Sequence, residues 1–183
     1  MHPDAWLVVI DPQRIFADPA SEWGSPMFPA VVDPVRRLAA AAGPRTLLTR
    51  WVPDPDPQGS WRAYLEAWPF ADVPADDPLL DVVPELADLV DTAAGVVSLP
   101  TFGKWGPDLV AVTGATPRLV LTGVATDCCV VSTALAAADA GASVTVVTDA
   151  CAGSTPDNHA AALTVMGLYP PQITLATTAE VLA

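Results

Sequence analysis

Three side chains suited to nucleophilic chemistry each follow a different apolar run of the sequence. Asp11 follows the run AWLVVI, Lys104 lies shortly after GVVSL, and Cys129 lies shortly after RLVLTGV. A carboxylate can take a proton from a thiol and later return it to a leaving group, and an ammonium can hold both charges in place. These residue types together indicate covalent catalysis by a cysteine, provided that the fold brings them into contact.

The vicinal cysteines Cys128 and Cys129 stand at the start of a helical pattern. A thiolate at a helix N-terminus is stabilised by the helix dipole and by unpaired backbone N–H groups. Either Thr126 or Asp127 is suited to cap this helix. Lys104 is the only lysine in the chain, and its positive charge would lower the pKa of a nearby thiol further. The pattern therefore predicts a reactive thiol with a lowered pKa.

Apolar runs alternate with helical patterns along the chain, which is typical of a parallel sheet covered by helices on both faces. The predicted strands are 5–10, 45–51, 95–99, 118–124, 143–149 and 172–178. The predicted helices are 29–43, 107–112, 128–141 and 155–167, with a shorter helix within 78–90. We expect one α/β domain over 1–183, with three αβα layers and a six-stranded, mostly parallel sheet. Ligands bind at the carboxyl ends of the strands in such sheets.

An irregular, Pro- and Trp-rich excursion at about 52–78 interrupts this alternation. Long ordered loops are often functional. Its aromatic residues could form a lid over a pocket, or could simply pack the loop onto the sheet, and the sequence leaves both readings open. The aromatic residues of this excursion and those near the predicted site are Phe16, Trp23, Trp51, Trp61, Tyr64, Trp68 and Trp105.

The composition excludes several classes of protein. The formal net charge is −13, which disfavours a nucleic-acid surface because such surfaces need clustered Lys and Arg. No apolar run approaches the roughly 20 residues that span a bilayer, and the first residues show no signal peptide. Three cysteines without a C-x-x-C pair argue against a disulfide framework or structural zinc. We expect a cytoplasmic protein with no nucleic-acid or membrane partner.

Four segments resemble the isochorismatase-like cysteine hydrolases, a superfamily that includes nicotinamidases, N-carbamoyl-amide hydrolases and isochorismatases. They are VVIDPQRIF (8–16), TFGKWGPDL (101–109), LTGVATDCCVVSTALAAADAG (121–141) and VTVVTDACAG (144–153). The resemblance runs from about residue 5 to 168, and GVATDCCV is its most specific part. It implies the Rossmann-like, isochorismatase-type fold and a hydrolase that acts on a small molecule.

The resemblance also implies a role for each reactive residue. The nucleophile is the cysteine directly before the valine, which is Cys129 and not Cys128, and the other two catalytic positions match Asp11 and Lys104. The Val124–Ala125 peptide matches a cis bond of the family, which turns the Ala125 N–H toward the site. With the N–H of Cys129 it would form an oxyanion hole.

Four further residues are candidates for substrate binding. Phe16 matches a pocket-lining residue of the family, and Trp68 and Trp105 are aromatic residues near the predicted site. Gln13 belongs to the D-x-Q motif and could orient either loops or substrate. The family usually forms dimers or larger assemblies, so the resemblance implies a homo-oligomer.

The chain departs from nicotinamidases where these carry a D-x-H-x-x-H metal cluster. The corresponding stretch, TRWVPDPDPQGSW (49–61), has Asp54 and Asp56 but no histidine. Two carboxylates alone would hold a hard cation only weakly. We therefore expect no metal and no cofactor.

The expected reaction is hydrolysis of a C–N bond, in an amide or an N-carbamoyl group, through a thioester on Cys129. Enol-ether hydrolysis of an isochorismate-like acid is the alternative within the family, but that chemistry does not need a nucleophilic cysteine. A redox role for the adjacent thiols, or a catalytically inactive domain, are the alternatives outside it. Adjacent cysteines rarely form a relaxed disulfide.

Overall fold

Six parallel strands form one sheet in the order β3-β2-β1-β4-β5-β6 in the computed structural model, which describes all residues from 1 to 183. The strands are β1 (Ala5–Ile10), β2 (Thr46–Trp51), β3 (Val96–Leu99), β4 (Arg118–Val124), β5 (Ser143–Ala152) and β6 (Ile173–Ala176). The predicted α/β fold class is confirmed, and the sheet is parallel throughout.

Eight α-helices connect and cover these strands. They are α1 (Arg14–Ala17), α2 (Phe28–Ala42), α3 (Ser60–Ala67), α4 (Asp88–Thr92), α5 (Pro107–Thr113), α6 (Val131–Asp139), α7 (Pro156–Met166) and α8 (Thr178–Leu182). Short 3-10 turns occupy Gly43–Arg45, Pro69–Ala71, Pro78–Leu80 and Pro84–Leu86. Among the helices, none combines the length and the hydropathy that crossing a bilayer requires.

Both faces of the sheet are covered, which explains why the central strands read as continuous apolar runs. In β1, Leu7 and Val9 join the core beneath α2, whereas Val8 and Ile10 join the core beneath α6. The first core also receives side chains from α1, α4 and α8, and the second from α5 and α7. The predicted three-layer arrangement follows directly from this alternation.

The helix boundaries follow local capping chemistry. The Thr155 side chain accepts a hydrogen bond from the Asn158 N–H and caps α7, as predicted from the sequence. Gly141, with φ 95°, ends α6 where an L-residue would be strained. The last helix, α8, was not among the predicted elements, although Thr177 and Glu180 form a complete capping box at its start.

The excursion at 52–78 is more regular than predicted, because it contains helix α3. Leu65 is the buried residue of this helix, and Tyr64 packs against the first core. The excursion therefore places a short amphipathic helix beside the carboxyl ends of β1 and β2.

The two central strands approach each other unusually closely near their carboxyl ends. Ile10 pairs with Gly123, and a Cβ on Gly123 would lie 2.1 Å from the Ile10 carbonyl oxygen. Gly123 also has φ 106°, a conformation that favours glycine. This close approach brings Asp11, which follows β1, next to Val124, the last residue of β4.

Candidate active site

Asp11 leaves the end of β1 in a left-handed conformation, with φ 44°, which is uncommon for a residue other than glycine. Its side chain is fully buried. The Thr49 hydroxyl donates to Asp11 Oδ1 at 2.6 Å and accepts from the Asp11 backbone N–H at 3.1 Å. Thr49, on β2, therefore fixes both the turn and the orientation of the carboxylate.

Lys104 is fully buried and forms an ion pair with Asp11, with Nζ 3.1 Å from Asp11 Oδ2. Its Nζ also donates to the Thr101 carbonyl at 2.6 Å. Its backbone N–H donates to Thr133 Oγ1 at 2.9 Å, and that hydroxyl donates to the Cys129 carbonyl at 2.7 Å. Thr133 thus ties the segment that carries the lysine to the segment that carries the cysteine.

One oxygen of Asp11 remains available as a proton acceptor. Although Oδ2 lies within ion-pairing distance of Lys104, the geometry is not that of a hydrogen bond, and no other group donates to this buried oxygen. Lys104 and Cys129 both lie close enough to lower the pKa of the Asp11 carboxyl, which indicates that the thiol adjoins it. The arrangement is that of a base paired with a nucleophile.

Cys129 is 3% exposed and lies in a π-helical turn, Thr126–Val130, between β4 and α6. The Val124–Ala125 peptide before this turn is cis, as the resemblance implies. The Ala125 N–H makes no hydrogen bond within the chain, whereas its carbonyl accepts from the N–H groups of Cys128 and Val130. Ala125 and Cys129 both line the same cavity, so an unpaired N–H lies near the thiol.

The predicted lowered pKa of the reactive thiol is wrong for Cys129. Its contact with Cys128, its burial and the Asp11 carboxylate raise the pKa of the Cys129 thiol well above its ordinary value, and Lys104 opposes them only in part. Burial likewise raises the pKa of the Asp11 carboxyl, opposed by Lys104, Thr49 and Cys129. Both groups are therefore shifted toward their protonated forms, and Lys104 opposes the shift at each.

The third cysteine is separate from this site. Cys151 is 2% exposed on β5, and burial raises the pKa of its thiol to about 12. Its Sγ lies 3.7 Å from the Leu121 carbonyl oxygen. All three cysteines are free, and only Cys128 and Cys129 reach the cavity.

A cavity of about 270 Å³ opens over Cys129. This volume lies just below the usual range for ligand pockets, about 300–1,000 Å³, and suits a small substrate. Five of its twelve lining residues are aromatic, and the lining includes Trp51 at the end of β2 and Ala125 directly after β4. The lining residues are Phe16, Glu22, Trp23, Gly24, Trp51, Tyr64, Phe102, Ala125, Asp127, Cys128, Cys129 and Ser154.

The substrate-binding candidates divide into one residue that lines the cavity and three that do not. Phe16 lines it, as predicted. Trp68 packs against Trp23 and Phe70 outside the lining, and Trp105 packs on the core beneath α6. Neither Trp68 nor Trp105 is among the residues that line the cavity, so the lining gives no support to the expectation that they bind substrate.

Gln13 also lies outside the cavity lining and serves the backbone instead. Its side chain is fully buried, donates to the carbonyls of Trp51 and Leu80 at 2.9 and 2.7 Å, and accepts from the Trp51 N–H at 2.7 Å. Both donors and one of the two acceptor sites of the amide group hold the end of β2 and the Pro78–Leu80 turn together. Of the two roles expected for Gln13, orientation of loops or of substrate, these hydrogen bonds serve the first.

Neither residue expected to cap the cysteine helix does so. Asp127 accepts hydrogen bonds from the N–H and the hydroxyl of Ser154, at 2.8 and 2.7 Å. Thr126 shares a hydrogen bond of 2.8 Å with His159 Nδ1, and burial lowers the pKa of that histidine. These side chains link the cysteine turn to the start of α7, and two of them, Asp127 and Ser154, also line the cavity.

Several residues of the site were missed from the sequence. Thr49, Thr133, Glu22 and Ser154 gave no pattern that distinguishes them from ordinary strand, helix and loop residues. Phe102 alone carried a signal, because it stands within TFGKWGPDL, the segment that resembles the family.

The stretch that corresponds to the nicotinamidase metal cluster does not provide a metal site. Asp54 accepts from the Asp56 N–H, and Asp56 pairs with Arg62 at 3.3 Å. No group of three or more His, Cys, Asp or Glu side chains in the chain is arranged to hold a metal ion. The donor set here does not fit the cluster, and no step below depends on a metal.

Comparison with known proteins identifies the family of this chain and finds the same fold in solved structures. Residues 5–180 match the model of the isochorismatase domain. A cysteine hydrolase from Pseudomonas syringae pv. phaseolicola is 20% identical, with a TM-score of 0.82, covering 99% of this chain and 92% of that one. An isochorismatase-like hydrolase from Alkaliphilus metalliredigens is 18% identical, with a TM-score of 0.76, and the coverage is 97% and 96%.

A nicotinamidase from Bacillus subtilis is 19% identical, with a TM-score of 0.74, covering 94% of this chain and 99% of that one. A search of curated protein sequences gave no match.

Proposed function

The chain belongs to the isochorismatase family of hydrolases, and from this premise we propose that it cleaves the C–N bond of a small amide or N-carbamoyl compound through a thioester on Cys129. One observation carries the proposal. Asp11 Oδ2 is buried without a hydrogen bond, is held 3.1 Å from Lys104, and adjoins the Cys129 thiol, which opens into a cavity. A carboxylate oxygen without a hydrogen-bond donor, next to a nucleophile, supports proton transfer as the first step.

The first half of the reaction forms the thioester. Asp11 takes the Cys129 proton as the thiolate attacks the carbonyl carbon. The Ala125 N–H, which has no partner within the chain, and the Cys129 N–H receive the oxyanion. Asp11 then gives the proton to the nitrogen, and the C–N bond breaks with release of ammonia or an amine.

The second half regenerates the enzyme. Asp11 takes a proton from water, which attacks the thioester carbon, and the C–S bond breaks. The departing sulfur of Cys129 recovers the proton, and the acid product leaves. Throughout, Lys104 stabilises the Asp11 charge and holds the carboxylate in place by its contact with the Thr101 carbonyl. Each cycle consumes one water and requires no other co-reactant.

Two features favour amides over an isochorismate-like acid. Enol-ether hydrolysis does not need the thiol, yet Cys129 lies at the cavity beside its base. Carboxylate substrates need a cation, and no arginine, lysine or histidine lines the cavity.

The direct test is detection of the acyl enzyme. We expect a panel of small amides and N-carbamoyl compounds to include one that releases ammonia and leaves an acyl adduct on Cys129 under rapid acid quench. Intact-mass measurement and peptide mapping would locate the adduct. In water enriched in oxygen-18, the product acid should carry one heavy oxygen per turnover. Ammonia release with no adduct, or with the adduct on Cys128, would contradict the thioester route.

The pH dependence of kcat/KM should show an acid limb set by Asp11. Burial raises the pKa of this carboxyl above its ordinary value of 3.8. Since the carboxylate is the base, the rate is present above the raised pKa and is lost as the pH falls through it. Thr49→Val removes a hydrogen bond that lowers this pKa, so the limb should move to higher pH. An acid limb at or below 3.8 in the wild type would contradict this assignment.

A further inference from the structure

Five aromatic rings line the cavity, those of Phe16, Trp23, Trp51, Tyr64 and Phe102. Trp23 is central, because it stacks on Phe16 at 6.1 Å and meets the rings of Trp51 and Tyr64 at 5.4 and 5.6 Å between centroids. Phe102 lines the cavity as well and contacts Tyr64 edge-on at 5.4 Å. These rings are inclined differently, at 3° between Phe16 and Trp23 and 74° between Trp23 and Trp51. The rings that line the cavity therefore lie in several different planes.

The ionisable side chains of the lining are exclusively acidic, apart from the two thiols. Glu22 lines the cavity and makes no hydrogen bond or ion pair within the chain. Asp127 is held by Ser154 alone and has no cationic partner. Burial raises the pKa of Tyr64 to about 12, so its ring stays uncharged. The one nearby cation, Lys104, lies outside the lining and is neutralised by Asp11.

We propose that the cavity selects a cationic substrate, an amide or N-carbamoyl compound that carries an alkylated ammonium group. This inference rests on the proposed function for the bond that is cleaved, and it assigns the remainder of the substrate. Ring faces attract a cation through their quadrupoles, and aromatic cages are a known means of holding quaternary ammonium groups. The two carboxylates add attraction at the same cavity, and Glu22 has no other charge to satisfy.

The same charges argue against anionic substrates. A substrate carboxylate would meet Glu22 and Asp127 with no lining cation to compensate it, and transfer of an unpaired anion into an aromatic cavity is unfavourable. Uncharged amides would gain the apolar contact but not the electrostatic attraction. The structure therefore predicts a rank order of cationic, then neutral, then anionic amides.

Three amides of matched length test this order. The cationic probe is γ-(trimethylammonio)butyramide. Its neutral isostere carries a tert-butyl group in place of the trimethylammonium, and glutaramate carries a carboxylate there. In each, a chain of methylenes insulates the amide from the inductive effect of the end group. We expect kcat/KM to favour the cationic probe over its isostere by at least about tenfold, with glutaramate the poorest.

Glu22→Gln identifies the charge that is responsible. Since Glu22 is exposed and makes no hydrogen bond within the chain, this change should alter the cavity charge with little effect on folding. The ratio of kcat/KM between the cationic probe and its isostere should fall about three- to tenfold. Glu66→Gln is the matched control, because Glu66 is an exposed acid on the same helix as Tyr64 but lies outside the lining. It should leave the ratio as in the wild type.

Failure of this inference can be separated from failure of the proposed function. Hydrolysis of the isostere as fast as the cationic probe would overturn the substrate class and leave amide hydrolysis standing. If no amide is hydrolysed, calorimetric titration of the Cys129→Ala protein still decides the inference. Tighter binding of the cationic probe than of its isostere would support the cationic site without amide hydrolysis, and equal or absent binding would overturn both.

Discussion

Cys129→Ala abolishes turnover of any substrate that the wild type hydrolyses, with kcat lower by at least about 10⁴-fold. The reason is that Asp11 and the unpaired N–H groups have no covalent step to assist once the sulfur is gone. The fold should persist, because a cysteine at a small buried position behaves as a small apolar residue. Ammonia release at saturating substrate, with circular dichroism as the measure of folding, checks this result.

Two other cysteines provide matched controls for this loss. Cys128→Ala should retain turnover within about tenfold, because Cys128 contacts Cys129 but is not paired with Asp11 in the proposed cycle. Cys151→Ala removes a thiol that never reaches the cavity, and should affect stability more than turnover. A Cys128→Ala protein as inactive as Cys129→Ala would identify the wrong nucleophile or a joint role for the pair.

Lys104→Met should destabilise the protein by about 3–5 kcal/mol, the usual cost of removing one partner from a buried ion pair. Asp11 would be left fully buried, with only Thr49 and Cys129 as polar neighbours. Urea unfolding of the variant, followed by tryptophan fluorescence, measures the change. A loss smaller than about 1 kcal/mol would show that water or a rearranged side chain replaces the lysine.

The double variant Asp11→Asn with Lys104→Met is the control for this cost. Removing both charges together leaves no unpaired ion, so it should recover a large part of the stability that Lys104→Met loses. Lys104→Arg keeps the charge but places a wide, forked guanidinium where a compact ammonium contacts Asp11 and Thr101. We expect it to lose turnover, since the base would be displaced even if the charge balance survives.

The sequence was most informative about the strands and about the edge of the sheet at which each strand ends. Apolar runs and helical patterns predicted all six strands, and parallel strands oblige Asp11, Lys104 and Cys129 to lie at one edge of the sheet. Thr177 followed by Glu180, the capping box that starts α8, is also a local sequence signal, although α8 was not predicted. These features depend on local pattern, so they do not need knowledge of the packing.

Side-chain environments were less predictable, because they depend on residues distant in the chain. The Cys129 thiol was expected to be acidic on account of the helix N-terminus and Lys104, but Cys128, burial and Asp11 reverse the sign. Gln13 stands in a family motif, yet its amide is spent on Trp51 and Leu80. Whether an aromatic ring faces a cavity or a core is likewise settled by tertiary packing, as Trp68 and Phe102 show.

Because Cys151 is buried, the rate at which its thiol is alkylated measures how often the domain unfolds. The sulfur of Cys128 is partly accessible, that of Cys129 is reached only through the cavity, and that of Cys151 is enclosed by β4 and β5. An alkylating reagent would therefore modify Cys151 only when the centre of the sheet opens, an event governed by the stability of the whole domain. A single time course, resolved by residue, would report ligand occupancy at Cys129 and unfolding at Cys151 in the same sample.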